Sequence, residues 1–325
     1  MWLTIPALHI PDGFLSVPVS AVGWLLLIVL TGCALKQLGS RIDERQIPLL
    51  GIMAAFVFAA QMLNFPVAGG TSGHLLGAAL VAIILGPWAM IVVMTCVIGV
   101  QALLFQDGGL LALGFNVINM GVLSGLVGYT IYSWISGLRP ASSVMRLVAA
   151  GIGAWSGVIV AAAATALQLA ISGTSPLSIT LPAMVGVHVL IGIGEALITV
   201  AALTFIHQTR PDLLNPAVPA PRHGSRPIAA GFLIALALTF ASPLADPNPD
   251  GLERVAEDQG FIETAQEPAY QLLPDYTVPF VESEILTVIL AGVIGVIVVS
   301  GVTWAAARAA ENRRTSAPPE HPAAG

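Results

Sequence analysis

The chain has 325 residues, 56% of them hydrophobic and 9% charged, with a formal net charge of −6. Soluble domains carry about 25% charged residues, so these few charges cannot cover a water-facing surface, and a bilayer must solvate much of the chain. The single Lys and the 33 Gly agree with this, because small residues let membrane helices approach closely.

Crossing a bilayer takes about 20 apolar residues. In chain order the apolar runs predict spans at 16–35, 47–64, 74–86, 88–105, 112–135, 146–171, 184–206, 227–245 and 284–307. The expected fold is therefore an all-α, polytopic helical membrane protein with about nine transmembrane helices. The third run is short and gains length from the Gly-rich stretch before it. Cys33 and Cys96 fall inside apolar runs, where core filling is the better reading than a disulfide or thiolate site. No cleavable signal peptide is expected, because the first residues lack a basic region and Pro6 and Pro11 interrupt them. Gly121 with Gly125, and Gly153 with Gly157, form small-xxx-small pairs that packing explains.

Basic residues stay on the cytoplasmic side. Lys36, Arg41, Arg45, Arg139, Arg146, Arg210, Arg222, Arg226, Arg308, Arg313 and Arg314 are eleven of the twelve basic residues. With nine spans they share one face, which puts the N-terminus outside and the C-terminus in the cytoplasm of a cell-membrane protein. The outer face then carries one long loop, 246–283, with ten carboxylates between 246 and 284 against the single Arg254. Such a loop acts either as a connector or as a lid or delivery surface that concentrates cations by steering; Asp250, Glu253, Glu257 and Asp258 are its test residues. Residues 208–226 are Pro-rich and read as a cytoplasmic linker between a seven-span body (9–207) and a two-span appendage (227–310). Residues 311–325 read as a disordered tail.

Polar side chains in a bilayer are costly and raise the prior for function. On this topology His9 and Asp12 precede span one, Gln61 and Asn64 end span two, and His74 opens span three. Gln101, Asp107, Asn116, Asn119 and His188 lie at the same outer depth. A shared pocket opening outward is the economical reading; each group satisfying a neighbouring helix is the alternative. Imidazole is the commonest metal-binding side chain, which singles out His9 and His74. Glu195, deep in span seven, is either structural or a coupling element.

These residues lie in recognisable strings. The run from His9 to Ser16 (HIPDGFLS) resembles the N-terminal signature of the substrate-binding M subunits of nickel and cobalt energy-coupling-factor transporters. QMLNFPVAGGTSGHLLG from Gln61, Gly86-Pro87-Trp88, QALLFQDGGLLALGFNVINMG from Gln101 and the run from His188 to Thr199 extend the match over roughly 9–207. Residues 227–307 look like the small N subunit fused to it, marked by Pro249-Asp250-Gly251-Leu252-Glu253 and Gly260-Phe261.

The resemblance implies a nitrogen site for Ni(II) or Co(II) as substrate. Its ligands would be a terminal amine, the backbone nitrogen and imidazole of His9, and His74. Asp12, Asn64, Gln101, Asn116, Asn119 and His188 line the pocket. Four nitrogens in a plane suit Ni(II) better than they suit zinc or calcium. The amine would belong to Leu8 only if that position is the true first residue, with residues 1–7 absent and a TTG or CTG start codon read as leucine; the amide proton lost on chelation would make binding strengthen with pH. If 1–8 is a genuine extension, the site is a looser one on His9 and His74, with His188 as a third imidazole. Lys36 lies in no phosphate-binding loop, so no ATPase and no cofactor of its own are expected. The implied partners are a transmembrane coupling (T) subunit, cytoplasmic ATPase subunits and the bilayer, and no nucleic acid. Two other classes compete. A self-sufficient secondary transporter would need more acidic groups than Glu195. An intramembrane hydrolase would use Ser72 or Ser156 with His74 or Glu195, but no spacing assembles such a set.

Overall fold

A computed structural model describes residues 9–42, 44–139, 142–214 and 226–315. The expectations for 1–8, including Leu8, for most of the linker and for the last ten residues lie outside the described residues. What is described is a polytopic helical membrane protein. The helices are α1 (Val17–Arg41), α2 (Ile47–Gln61), α3 (Ala78–Leu85), α4 (Pro87–Val100), α5 (Leu113–Asn116), α6 (Ser124–Leu138), α7 (Ser143–Ser172), α8 (Leu177–Thr209), α9 (Arg226–Ala241), α10 (Gly251–Gln259) and α11 (Glu284–Thr315). Among the described residues, six helical stretches are long and apolar enough to cross a bilayer, and two shorter apolar helices, Ile47–Gln61 and Ala229–Leu244, accompany them.

The expected third span is a half-length element. At about 1.5 Å rise per residue, the eight residues of α3 cover less than half of a hydrocarbon core. The preceding residues form a hairpin instead, β1 (Phe65–Val67) against β2 (Thr71–Gly73), with Phe65 opposite Gly73 and Val67 opposite Thr71. Its three-residue turn needs Gly69 and Gly70, both at positive φ (87° and 69°), a region closed to most side chains. Other elements outrun their expected bounds, among them α1, which runs to Arg41, α8, which begins at Leu177, and α11, which runs to Thr315. The stretch from 311 to 315 is therefore helical rather than tail, and Arg308 pairs with Glu311 at 2.6 Å.

Inside the bundle, α7 lies along both α6 and α8. A Cβ at Gly153 or Gly157 would strike the backbone of Gly128 or Ser124 on α6, so these glycines permit the close crossing. Helices α9 and α11 pack on α2, and α11 also meets α1 and α4. The last two spans are thus built into the side of the bundle, more intimately than an appendage. Cys33 faces outward and Cys96 is partly buried, both as free thiols, so only Cys96 fills packing space. Short π-helical turns at Gln101–Phe105, following α4, and Val117–Leu123, between α5 and α6, insert extra residues of the kind often found at functional sites.

Candidate metal site

Residues 9–16 form no helix, so their backbone groups need partners from elsewhere. Asn116 supplies two: its Oδ1 accepts from the Ile10 N–H at 3.0 Å and its Nδ2 donates to the Ile10 carbonyl at 3.1 Å. The Gly109 N–H donates to the same carbonyl at 2.9 Å. In return the Asp12 carboxylate accepts from the N–H groups of Leu110, Leu111 and Ala112 at 3.1, 2.8 and 3.2 Å. Gly109 is required there, because a Cβ would collide with the Asp12 side chain. Ile10 and Phe14 complete the plug as buried side chains.

This plug carries His9, which is 3% exposed. Its Nδ1 lies 2.7 Å from Asp107 Oδ1, so the ring donates there and leaves the lone pair on Nε2. That Nε2 is buried without a hydrogen-bond partner among the described residues. His74, also buried, has its ring centroid 6.0 Å from that of His9, with the planes inclined at 55°. With metal–nitrogen bonds of about 2.0–2.1 Å and half a ring on either side, one ion can join two imidazoles whose centroids are up to roughly 6–6.5 Å apart. The pair is within that reach.

The backbone behind His74 is fixed from two sides. Glu195, 1% exposed, accepts from the N–H groups of Leu76 and Gly77 at 2.6 and 2.9 Å. Gln61 Nε2 donates to the Leu76 carbonyl at 3.0 Å, and the His74 Nδ1–H donates to the Leu75 carbonyl at 3.1 Å. Glu195 is therefore a structural clamp on the histidine loop and the start of α3. Among the described residues, no three His, Cys, Asp or Glu side chains converge as a metal cluster. A full ligand set around His9 and His74 thus calls for backbone or terminal nitrogens. A chelate through one residue's own backbone nitrogen and imidazole closes through Nδ1, the nitrogen that here faces Asp107; forming it requires the His9 ring to turn over.

The other candidates divide. Gln101 joins the site, donating to Gln61 Oε1 at 2.9 Å and to the Tyr276 hydroxyl at 3.4 Å. Asn64 stands under the outer loop, its carbonyl accepting from the Asp246 N–H at 3.0 Å. Asn119 turns to α7, making a reciprocal amide pair with Gln168 at 2.7 and 2.8 Å and a bond to Thr165. The His188 Nδ1–H donates to the Met184 carbonyl at 2.7 Å, and its other edge lies against Gly251. Ser72 holds the outer loop, its hydroxyl donating to the Asn248 carbonyl at 2.8 Å.

The outer loop is docked over this mouth. In α10, Leu252, Val255 and Ala256 are buried at i, i+3 and i+4, one face of a helix. Asp250 caps that helix through the Glu253 N–H at 2.7 Å. Phe261 meets Phe14 edge-on at 5.1 Å, a geometry worth about 0.5–1.5 kcal/mol beyond burial. The Ser72 N–H donates to the Pro249 carbonyl and the Gln266 N–H to that of Asp12, both at 2.8 Å. Tyr276, 1% exposed, donates its hydroxyl to Asp107 Oδ2 at 2.7 Å. Sequence reasoning missed Tyr276: it sits in an irregular loop whose pattern carries no period. A mere connector would leave these apolar groups in water. The carboxylates divide likewise: Asp250 and Glu253 are part of the docked structure, whereas Glu257, Asp258, Glu263 and Glu267 are exposed.

Burial raises the Asp250 carboxyl to about 6 and the Glu253 carboxyl to about 7, the latter aided by the charge of Asp250. Both values lie above the ordinary carboxylate range, so docking favours the protonated forms. That stabilisation is complete at acid pH and is lost as pH rises through about 6 to 7. Amide exchange over 251–261, corrected for intrinsic rates, should accelerate between pH 5.5 and 8, and Glu253→Gln should flatten the response. Equal protection at the two pH values would refute the coupling.

Comparison with known proteins agrees with this architecture. Residues 9–213 match the family model described as "cobalt uptake substrate-specific transmembrane region", and residues 225–312 match the PDGLE domain. A chain of Archaeoglobus fulgidus named "Putative fused nickel transport protein NikMN" is 36% identical over 304 residues, spanning 93% of this chain and 98% of that one. The fused nickel transport protein NikMN of Rhodobacter capsulatus is 28% identical, spanning 94% and 99%. The crystal structure of a truncated transition metal transporter superposes with a TM-score of 0.56 at 35% identity, covering 62% of this chain and 99% of the other.

Proposed function

Because the chain belongs to the family of the cobalt uptake substrate-specific transmembrane region, we propose that it is the substrate-binding membrane subunit of an energy-coupling-factor transporter importing Ni(II) or Co(II). One observation carries the reading: two buried imidazoles, His9 and His74, lie with ring centroids 6.0 Å apart, and among the described residues His9 Nε2 has no hydrogen-bond partner. Buried polar atoms are nearly always paired, and an exception calls for an explanation such as an ion. Imidazole nitrogen suits Ni(II) and Co(II), while oxygen-rich sites suit magnesium and calcium.

The distribution of charge supports an outward-facing site. If α3 and the loop before it count as one crossing of nine, eleven of the twelve basic residues share the face opposite the one assigned to the histidine pair, and because basic residues stay cytoplasmic this supports a site, docked loop and N-terminus outside with the C-terminus in the cytoplasm. The chain has no phosphate-binding loop, so the energy comes from separate ATPase subunits acting through a transmembrane coupling subunit. The names of the fused nickel transport relatives support the cargo. The ligand set carried over from the family is a terminal amine, the backbone nitrogen and imidazole of His9, and His74; the two nitrogens of His9 close on one ion once its ring has turned and Nδ1 has left Asp107.

Reconstitution in proteoliposomes tests this. Nickel or cobalt should accumulate only when the coupling and ATPase subunits and ATP are present. Accumulation by this chain alone, driven by a proton gradient, would mean a secondary transporter and would overturn the proposal.

A further inference from the structure

We propose that Ile191 and Glu195, four residues apart on α8, are positioning residues for metal capture: between them they hold the chain on both sides of His74. The inference rests on the reading of His74 as a ligand, and it is independent of how the His9 ring is turned.

The stretch that carries His74 has no ladder of its own. It runs from the end of β2 at Gly73 to the start of α3 at Ala78, so its backbone groups need partners from other elements. After His74, the Glu195 carboxylate accepts from the Leu76 and Gly77 N–H groups at 2.6 and 2.9 Å. Before His74, Ile191 packs on Gly73: a Cβ added there would lie 2.8 Å from Ile191 Cγ2 and 3.0 Å from its Cγ1. Residues four apart share one face of a helix, so a single face of α8 grips both ends of the histidine loop. Gly194, on the same face, leaves room for the Phe65 ring, and Phe65 stands opposite Gly73 in the hairpin.

The residue types fit holding better than filling. Glu195 is 1% exposed and Ile191 5%. A carboxylate buried this deep in a spanning helix is costly, and a side chain needed only for packing there could be leucine. Both oxygens of Glu195 accept instead, at the N-terminal end of α3, where a helix favours negative charge. Glutamine has the same shape but offers one acceptor oxygen, and it turns an amide N–H toward a backbone N–H. Ile191 is β-branched and therefore stiff at χ1, which makes it a fixed wedge. Its Cδ1 also faces Gly251, the first residue of α10, where a Cβ would lie 2.7 Å away. The docked outer helix thus rests on the same side chain that sets Gly73, and the two parts matched by separate family models meet beside the histidine loop.

Titration of the purified full-length protein with Cu(II) tests this, because nitrogen ligands bind Cu(II) more tightly than Ni(II) or Co(II) and weakened sites stay measurable. Glu195→Gln should lower the affinity about 10- to 100-fold, the usual consequence of losing an outer support of a metal ligand. In a His74→Ala background, where the other nitrogens still hold Cu(II), the same substitution should change nothing, since a residue acting through His74 has nothing left to position. An equal loss in both backgrounds would mean that Glu195 merely stabilises the bundle, and it overturns the proposal, as does wild-type affinity in Glu195→Gln. Gly73→Ala should also weaken binding, and adding Ile191→Ala should restore most of it by clearing space for the new methyl. A double variant that binds no better than Gly73→Ala overturns the assignment of Ile191. If His74→Ala binds Cu(II) as wild type does, the ligand reading itself fails; if it binds more weakly while Glu195→Gln matches wild type, only the positioning fails.

Discussion

Replacing either His9 or His74 by alanine should abolish stable nickel or cobalt capture while leaving insertion and helix content intact. Each imidazole lies outside the long helices, on the plug before α1 or the loop before α3, so neither deletion removes a buried helix contact. The loss should exceed the roughly 10–100-fold that removing an outer partner costs, because a first-sphere nitrogen disappears. Metal content of the purified variants is the measurement, and wild-type content in either would exclude the pair as ligands. Ser72→Ala provides the contrast. Its hydroxyl serves the docked loop through the Asn248 carbonyl, a neutral hydrogen bond worth about 0.5–1.5 kcal/mol, so binding should weaken slightly and survive.

Much of this architecture was legible from apolar run length alone, because a bilayer imposes a length on every element that crosses it. Run length fails where the chain stops short of crossing. The run from 74 is expected to cross with length gained from the Gly-rich stretch before it, yet that stretch forms the hairpin and the clamped loop, since Gly69 and Gly70 turn the backbone and Glu195 takes the N–H groups of Leu76 and Gly77. Depth was also legible: Asp12, Asn116, Gln101 and both histidines do meet at one end. What each polar group does there was not, because an amide or carboxylate reads whatever backbone lies opposite, and the partner is set by packing. Asn119 shows the limit, lying at the same depth but turned to Gln168 of α7. Tyr276 shows it more sharply, since its place depends on two left-handed residues in an irregular loop, which no period announces.

The packing of the plug carries the last expectation, that Asp12→Ala weakens metal capture without destroying the site. Three backbone N–H groups, of Leu110, Leu111 and Ala112, share the Asp12 carboxylate. Hydrogen bonds to a charged group contribute about 1.5–3 kcal/mol each and add incompletely, so release of the plug should become easier by about 3–5 kcal/mol. Since His9 rides on the plug, the competent fraction falls and the apparent dissociation constant rises in proportion. A rise of about 100-fold or more follows if the plug is only a few kcal/mol from release in wild type. Asp12→Asn keeps the shape beside Gly109, where there is no room for a larger group, and retains one acceptor oxygen; its loss should be intermediate. Capacity separates this effect from deletion of a ligand. At saturating Ni(II) the ion itself should pull the plug back, so Asp12→Ala should recover the full stoichiometry that His9→Ala cannot. Titration to saturation followed by amide exchange over 9–16 measures both quantities. Asp12→Ala protein that binds as tightly as wild type, or that stays empty at saturation, would show that the carboxylate does not act by holding His9 in place.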